Sequence, residues 1–283
     1  DLLLECSAEP SVHAGYGSSP NYLINTNLQG TINCLETARK YKSKVIFLST
    51  SRVYPIEALR NLPLKEFENR LDIPKDASGL GWSHEGIAED FPLTNMRSLY
   101  GATKLCSELI LEEYSYAYEI PYIINRCGVI AGPWQMGKVD QGFMTLWTAK
   151  HIFKSDTLKY MGFGGKGLQI RDVLNVFDLC DLVQLQIENF DKLNRSIFNA
   201  GGGASNSVSL CELTTKCQKI TGESLKIGSV PETNSFDIPY YVTDNKKIES
   251  TLKWKPIRTV DDTIVQIKDW ILENYEELKP ILS

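Results

Sequence analysis

Apolar runs of strand length alternate along this chain with stretches of helical period, and that alternation restricts the fold more than any other feature. Residues 2–6, 44–49, 120–126, 168–173 and 196–200 each have the length and apolar density of a buried strand. Between the first two lies a helical stretch, opening at Ser19-Pro20 with Ser as cap and Pro in the first turn and running to about Tyr41. Leu28, Ile32, Leu35 and Ala38 fall near one face of it. Two further helical stretches run from 100 to about 117 and from about 176 to 189. Strands that alternate with helices in this way predict an α/β fold built on a parallel, doubly wound sheet.

The rest of the chain carries a second layer. Residues 142–153 read as a helix. Ser209-x-x-Glu212 is a capping box, followed by the stripe Leu210, Leu213, Cys217 and Ile220. Thr259-x-x-Asp262 opens a last helix with Val260, Ile264, Ile267 and Ile271 on one side. Residues 1–133 and 166–203 are expected to form the sheet domain. Residues 134–165 and 204–283 are expected to form a smaller cap. Residues 55–97, dotted with Pro and charge, make a long connection. It is either functional with short elements of its own or a surface excursion.

Composition excludes several classes. An apolar fraction of 42% in 283 residues rules out a disordered chain. A formal net charge of −5 argues against a nucleic-acid surface. No apolar run approaches the length of a membrane span. The seven cysteines are odd in number and scattered, which fits reduced thiols in a cytoplasmic protein. His13, His84 and His151 are far apart, so no metal site is expected.

Candidate chemistry centres on Ser98-Leu-Tyr-Gly-Ala-Thr-Lys104. Tyr100 and Lys104 are four residues apart and share a helix face. A free phenol, with a pKa near ~10, is a poor base at neutral pH. A neighbouring ammonium favours the phenolate. On spacing alone the pair also reads as an exposed helical neighbour pair. The strand at 44–49 turns polar at its end, in Ser49-Thr-Ser-Arg-Val-Tyr54. Ligands of open α/β sheets sit at strand carboxyl ends, which places the Thr50 hydroxyl where a substrate oxygen would lie.

These segments together resemble the extended short-chain dehydrogenase/reductase family, its NAD-dependent sugar-nucleotide epimerases and dehydratases. Asp1-Leu-Leu-Leu-Glu-Cys-Ser-Ala-Glu-Pro-Ser11 resembles the strand and turn beside the nicotinamide, and Asn27-Leu-Gln-Gly-Thr31 resembles the family's Asn-x-x-Gly-Thr helix. Gly165-Lys-Gly-Leu-Gln-Ile-Arg-Asp-Val173 and Phe198-Asn-Ala-Gly-Gly-Gly203 are similar to its nucleotide-sugar segments. The run from Arg126 to Gly142 resembles the branch of CDP-paratose 2-epimerases.

The resemblance implies a Rossmann-like fold and an isomerase of carbohydrate metabolism. It implies NAD as cofactor and a nucleotide-linked sugar, a CDP-sugar foremost, as substrate. Tyr100 is implied as base, Lys104 as partner of the nicotinamide ribose and Thr50 as holder of the reacting sugar oxygen. Ser7, Ala8, Asn27, Ser49 and Cys127 are implied cofactor contacts. Arg171 is the implied diphosphate ligand, with Asp140, Gln141 and Gln169 as polar contacts; an Arg171–Asp172 pairing with a purely structural role is the alternative. Cys127 and Asn27 read equally as structural residues. Relatives pair through helices of the sheet layer, and nothing in the spacing here decides the oligomeric state.

Three departures stand out. No Gly-x-x-Gly-x-x-Gly turn is present, and the chain is expected to be N-terminally truncated by two βα units, on the order of 60 residues at roughly 30 each. Such a fragment is expected to hold the cofactor poorly. Asn234 stands where relatives often have Arg, in Asn234-Ser-Phe-Asp-Ile-Pro239. Ser51 and Arg52 follow Thr50 where the family's dehydratases carry Asp-Glu, which argues against dehydration. A net reductase or dehydrogenase and a non-catalytic NAD-binding fragment are the alternative functions.

Overall fold

The computed structural model describes residues 1–17, 19–137, 141–155 and 157–283. In chain order the elements that build the site are β1 (Leu2–Glu5), α1 (Gly30–Tyr41), β2 (Lys44–Thr50), α2 (Leu99–Tyr118), β3 (Tyr122–Cys127), β4 (Val129–Ala131), α3 (Phe143–Phe153), β5 (Ile170–Asn175), α4 (Val176–Glu188), β6 (Ser196–Ala200), β7 (Ser207–Ser209), α5 (Leu210–Thr221), β8 (Tyr240–Tyr241), α6 (Val260–Glu273) and α7 (Tyr275–Leu282).

Strands β1, β2, β3 and β6 form a parallel sheet in that spatial order. Every residue of β3 is buried, as a strand covered on both faces must be. The two faces follow from alternation along β2. Val45 and Phe47 pack with Leu35 and Ala38 of α1 and Leu111 of α2. Ile46 packs on the other side with Leu179 and Leu182 of α4. The sequence thus yields the α/β, doubly wound parallel architecture it predicted.

A second sheet is centred on β5. It pairs parallel with β4 and β8 and antiparallel with β7. Over it lies a helical core from Met144 and Trp147 of α3, Leu213 and Cys217 of α5, Ile264 and Ile267 of α6, and Leu278 and Leu282 of α7. Both expected capping boxes form, Ser209 with Glu212 and Thr259 with Asp262.

The sequence reading misses two features, and of its two readings of the long connection the one with short elements holds. The helical stretch before β2 is not continuous. A short turn, Asn21–Ile24, passes into a π-helical turn, Asn25–Gln29, before α1 begins. Ser19 Oγ accepts from Asn21 N at 3.3 Å, so the hydroxyl still serves the first turn. A further helix, α7, follows α6. The long connection carries a helix at Ile56–Arg60 and several two- and three-residue strands. Its Leu59, Ile73, Ile87 and Phe91 form a core with Tyr240 and Tyr241. Among the described residues no helix is long and apolar enough to cross a membrane, and no group of three or more His, Cys, Asp or Glu could hold a metal.

Candidate active site

The site forms where the carboxyl end of β2 meets the amino end of α2. Ser98 caps α2, its Oγ accepting from Gly101 N at 3.1 Å. β2 ends at Thr50, and Ser51–Val53 makes a 3₁₀ turn in which Thr50 Oγ1 accepts from Arg52 N at 3.2 Å. Helix and turn touch at one glycine: a Cβ on Gly101 would stand 2.1 Å from the Arg52 carbonyl oxygen. Only a residue without a side chain lets the helix approach this closely. The approach brings the Tyr100 phenol close enough to the Thr50 hydroxyl for that hydroxyl to lower its pKa, and both residues line one cleft.

Lys104 lies one turn further along α2, 2% exposed, with Nζ 4.2 Å from the Phe47 ring centroid. Its ammonium has no hydrogen-bond acceptor among the described residues. Burial pushes its pKa down, and the charge of Glu5 opposes this first. Burial likewise pushes the Tyr100 phenol up; the Cys127 thiol adds to that rise, while the Thr50 hydroxyl and the Arg52 guanidinium oppose it. The spacing argument expects Lys104 to acidify Tyr100. The cation that acts on the phenol is Arg52.

The implied cofactor contacts have diverse surroundings. Cys127 is buried beside Tyr100 and Lys104, its thiol pushed up to about 12 by burial. Ser49 Oγ donates to the Glu108 carboxylate, which pairs with Arg126 at 2.8 Å. Asn27 Oδ1 accepts from Glu9 N at 2.7 Å, and Nδ2 donates to Glu9 O and Thr103 Oγ1. Asn27 therefore ties the loop after β1 to α2. Ser7 donates through both N and Oγ to Glu5, and Ala8 follows it on the same loop.

A cleft of about 390 Å³ opens over Thr50 and Tyr100, lined also by Arg52, Gln141, Gln169 and Arg171. It runs into a wider cleft of about 730 Å³ walled by Phe143, Trp147, Leu158 and Phe163 and sharing Arg52, Gln169 and Arg171. Gln169 Nε2 donates to Met161 O at 2.9 Å, while its Oε1 is buried and unpartnered. Arg171 donates to the Ile170 and Ile238 carbonyls, each at 2.7 Å, and forms no ion pair with Asp172. Asp172 is instead fully buried, accepting from Gly203 N at 3.0 Å. Asp140 lies outside the described residues. Arg52, which borders both clefts, is the site residue that sequence reasoning misses. Its place two residues past Thr50 was the available signal.

Thr50 at a strand end of a Rossmann-like sheet, and Tyr100 and Lys104 on the helix α2 packed beside it, thus lie beneath an arginine-lined cleft. Residues 1–201 match the NAD dependent epimerase/dehydratase family, and the chain belongs to it. It is 28% identical over 247 residues to the CDP-paratose 2-epimerase of Salmonella typhi, covering 86% of this chain and 70% of that protein. It is 24% identical over 280 residues to the UDP-glucuronate 4-epimerase of Thermodesulfobacterium geofontis, covering 99% and 75%. In fold it is similar to a UDP-glucuronic acid 4-epimerase from Bacillus cereus solved with UDP-glucuronic acid and NAD. That structure has a TM-score of 0.76 and 23% identity, with 97% of this chain and 76% of that chain covered.

The residues present fit the nicotinamide-ribose half of NAD. The buried Lys104 ammonium, with donors unspoken for, suits ribose hydroxyls at the strand ends. No glycine-rich strand-to-helix turn for the pyrophosphate occurs among the described residues.

Proposed function

We propose that this protein is an NAD-dependent nucleotide-sugar epimerase acting at C2 of a CDP-linked deoxyhexose. The observation that carries the reading is the convergence of Thr50, at the carboxyl end of β2, and Tyr100 on one cleft that also holds Arg171. In this reading Thr50 holds the reacting sugar hydroxyl and Tyr100 takes its proton. Positioning of this kind is a large share of catalysis. Lys104 holds the nicotinamide ribose, and its charge adds to that of Arg52 in favouring the phenolate. When bound, NAD supplies the acceptor and then the donor of hydride. The ketone formed between the two transfers turns in the cleft, so that one centre is inverted. Cys127 and the Ser7–Ala8 backbone border the cofactor; Ser49 and Asn27 serve by holding Glu108 and the β1 loop. Gln141, Gln169 and Asp140 meet the nucleotide sugar, and Arg171 grips its diphosphate. Residues 134–165 and 204–283 form the substrate-binding unit. Seven unpaired cysteines support a reducing, cytoplasmic setting.

The absence of carboxylates at 51 and 52 favours epimerisation over water loss. The test is NMR of CDP-paratose incubated with the protein and substoichiometric NAD. The expected result is the C2 epimer, with a primary isotope effect from deuterium at C2 and none from deuterium at C4. Stoichiometric reduction of added NAD with accumulation of a keto-sugar would instead establish a dehydrogenase.

A further inference from the structure

Arg52, in the turn after β2, and Arg171, in β5, are 119 positions apart in the chain by their numbering, yet they converge on one short segment. Arg52 Nη1 donates to Phe236 O at 3.3 Å and Arg171 Nη2 donates to Ile238 O at 2.7 Å. Two residues span at most about 7 Å of chain, so the guanidinium groups stand side by side. Asp237 acts on both through space, but no carboxylate among the described residues reaches ion-pair distance of either. Burial, and then the charge of Arg52, pull the Arg171 guanidinium down to about 9. Two partly desolvated cations without an anion between them are a costly arrangement, and one that a bound anion relieves.

Their placement relative to the phenol indicates which anion. Both arginines line both clefts, and Arg52 in addition belongs to the turn that follows Thr50 and packs its backbone on Gly101, next to Tyr100. In a nucleoside diphosphate sugar the β-phosphate is joined to C1. A hydroxyl on C2 is one carbon away from that linkage, whereas a hydroxyl on C4 lies across the ring. A guanidinium in the cleft of the base reaches the β-phosphate most directly when a carbon next to C1 is the one presented. At 234 the side chain has turned into its own loop, Asn234 Oδ1 accepting from Phe236 N at 3.0 Å.

We propose that Arg52 is a substrate-binding residue that grips the sugar-linked β-phosphate and so presents C2, rather than C4, to Tyr100. The proposal deepens the epimerase reading above and rests on it. It is tested by binding, without turnover. Calorimetry on the wild-type protein, Arg52→Gln, Arg52→Lys and Arg171→Gln compares CDP with CMP, and likewise UDP with UMP and dTDP with dTMP. Arg52→Gln is expected to weaken the preferred diphosphate at least ~10-fold while leaving its monophosphate within about twofold. Arg52→Lys is expected to recover part of the loss, with a shallower salt dependence in the Gln variant. The Tm of Arg52→Gln should be no lower than that of the wild type, because an unpaired buried charge is removed. Diphosphate affinity unchanged in Arg52→Gln, or lost equally for mono- and diphosphate, overturns the proposal. So does a wild-type protein that does not distinguish them. A shift of the pH–rate profile with unchanged diphosphate affinity also overturns it and assigns Arg52 to the phenol. A preference for uridine or thymidine changes the nucleotide proposed above and leaves the Arg52 test intact, whereas an isotope effect at C4 overturns the presentation of C2 by Arg52.

Discussion

Gly101 and Arg52 are in contact through the one position where α2 can bear no side chain. A Cβ on residue 101 would meet the Arg52 carbonyl oxygen at 2.1 Å and the Arg97 Cγ at 3.3 Å. Backbone cannot step aside as a flexible side chain can. Gly101→Ala should therefore cost about 1–3 kcal/mol by overpacking. It should also lift Tyr100 away from Thr50, lowering kcat roughly 100-fold for a displacement near 1 Å. Gly30→Ala is the matched control. Gly30 has helical φ and ψ, and its added Cβ would find no atom nearer than 3.9 Å. It should be neutral or stabilise by up to about 1 kcal/mol. Urea melts and turnover of the two variants check both outcomes.

The Glu108–Arg126 pair joins α2 to β3 inside the sheet layer, with side-chain exposures of 3% and 5%. Burial works against the arginine's charge, but the Glu108 carboxylate outweighs it and raises the guanidinium pKa further. Ser49 adds a donor to Glu108, and Tyr54 OH accepts from Arg126 while donating to Asn199. Glu108→Gln leaves a buried guanidinium short of its counter-charge and should destabilise by about 3–5 kcal/mol. The double change Glu108→Leu with Arg126→Met should recover most of that loss, because both charges leave together. A double-mutant cycle in urea that shows simple additivity would refute the coupling.

Features whose partners are near in sequence were legible before the structure was seen. Ser209 and Glu212 are three residues apart, Thr259 and Asp262 likewise, and both close as capping boxes. Features made by distant partners were not legible. Asn27 finds Thr103 across 76 residues and Ser49 finds Glu108 across 59, so their hydroxyl and amide groups read equally well as ligand contacts. Arg52 shows the same limit: its neighbour Phe236 is 184 residues away, and no local pattern predicts that a guanidinium there would face the phenol.

Thiol accessibility follows burial. Cys106 and Cys180 are exposed, whereas Cys127 and Cys217 are buried, with their thiols pushed up to about 12 by desolvation. The thiolate is the reactive form, so a raised pKa and burial act in the same direction. A charged disulfide reagent at pH 8 should label Cys106 and Cys180 rapidly and leave Cys127 and Cys217 untouched until the protein is unfolded. Mass spectrometry of the labelled peptides checks this. Rapid modification of Cys127 in folded protein would contradict the closed strand end on which the nicotinamide site depends.

Thr50 gives a prediction with a sign. Its hydroxyl lies beside the Tyr100 phenol and lowers a pKa that burial has raised. Removing the hydroxyl in Thr50→Val takes away stabilisation of the phenolate, and the phenol pKa must rise. At any pH below that value a smaller fraction of the enzyme then carries the base. The acidic limb of kcat/KM should shift to higher pH, and kcat/KM at neutral pH should fall by about 10²–10⁴-fold, the range typical of a lost acid–base contribution. Thr50→Ser keeps the hydroxyl and should hold the limb within a few tenths of a unit of the parent. Tyr100→Phe should abolish the limb altogether while nucleotide binding persists. If Thr50→Val instead lowered kcat with the limb unmoved, the hydroxyl would act on the sugar alone and have no part in preparing the base.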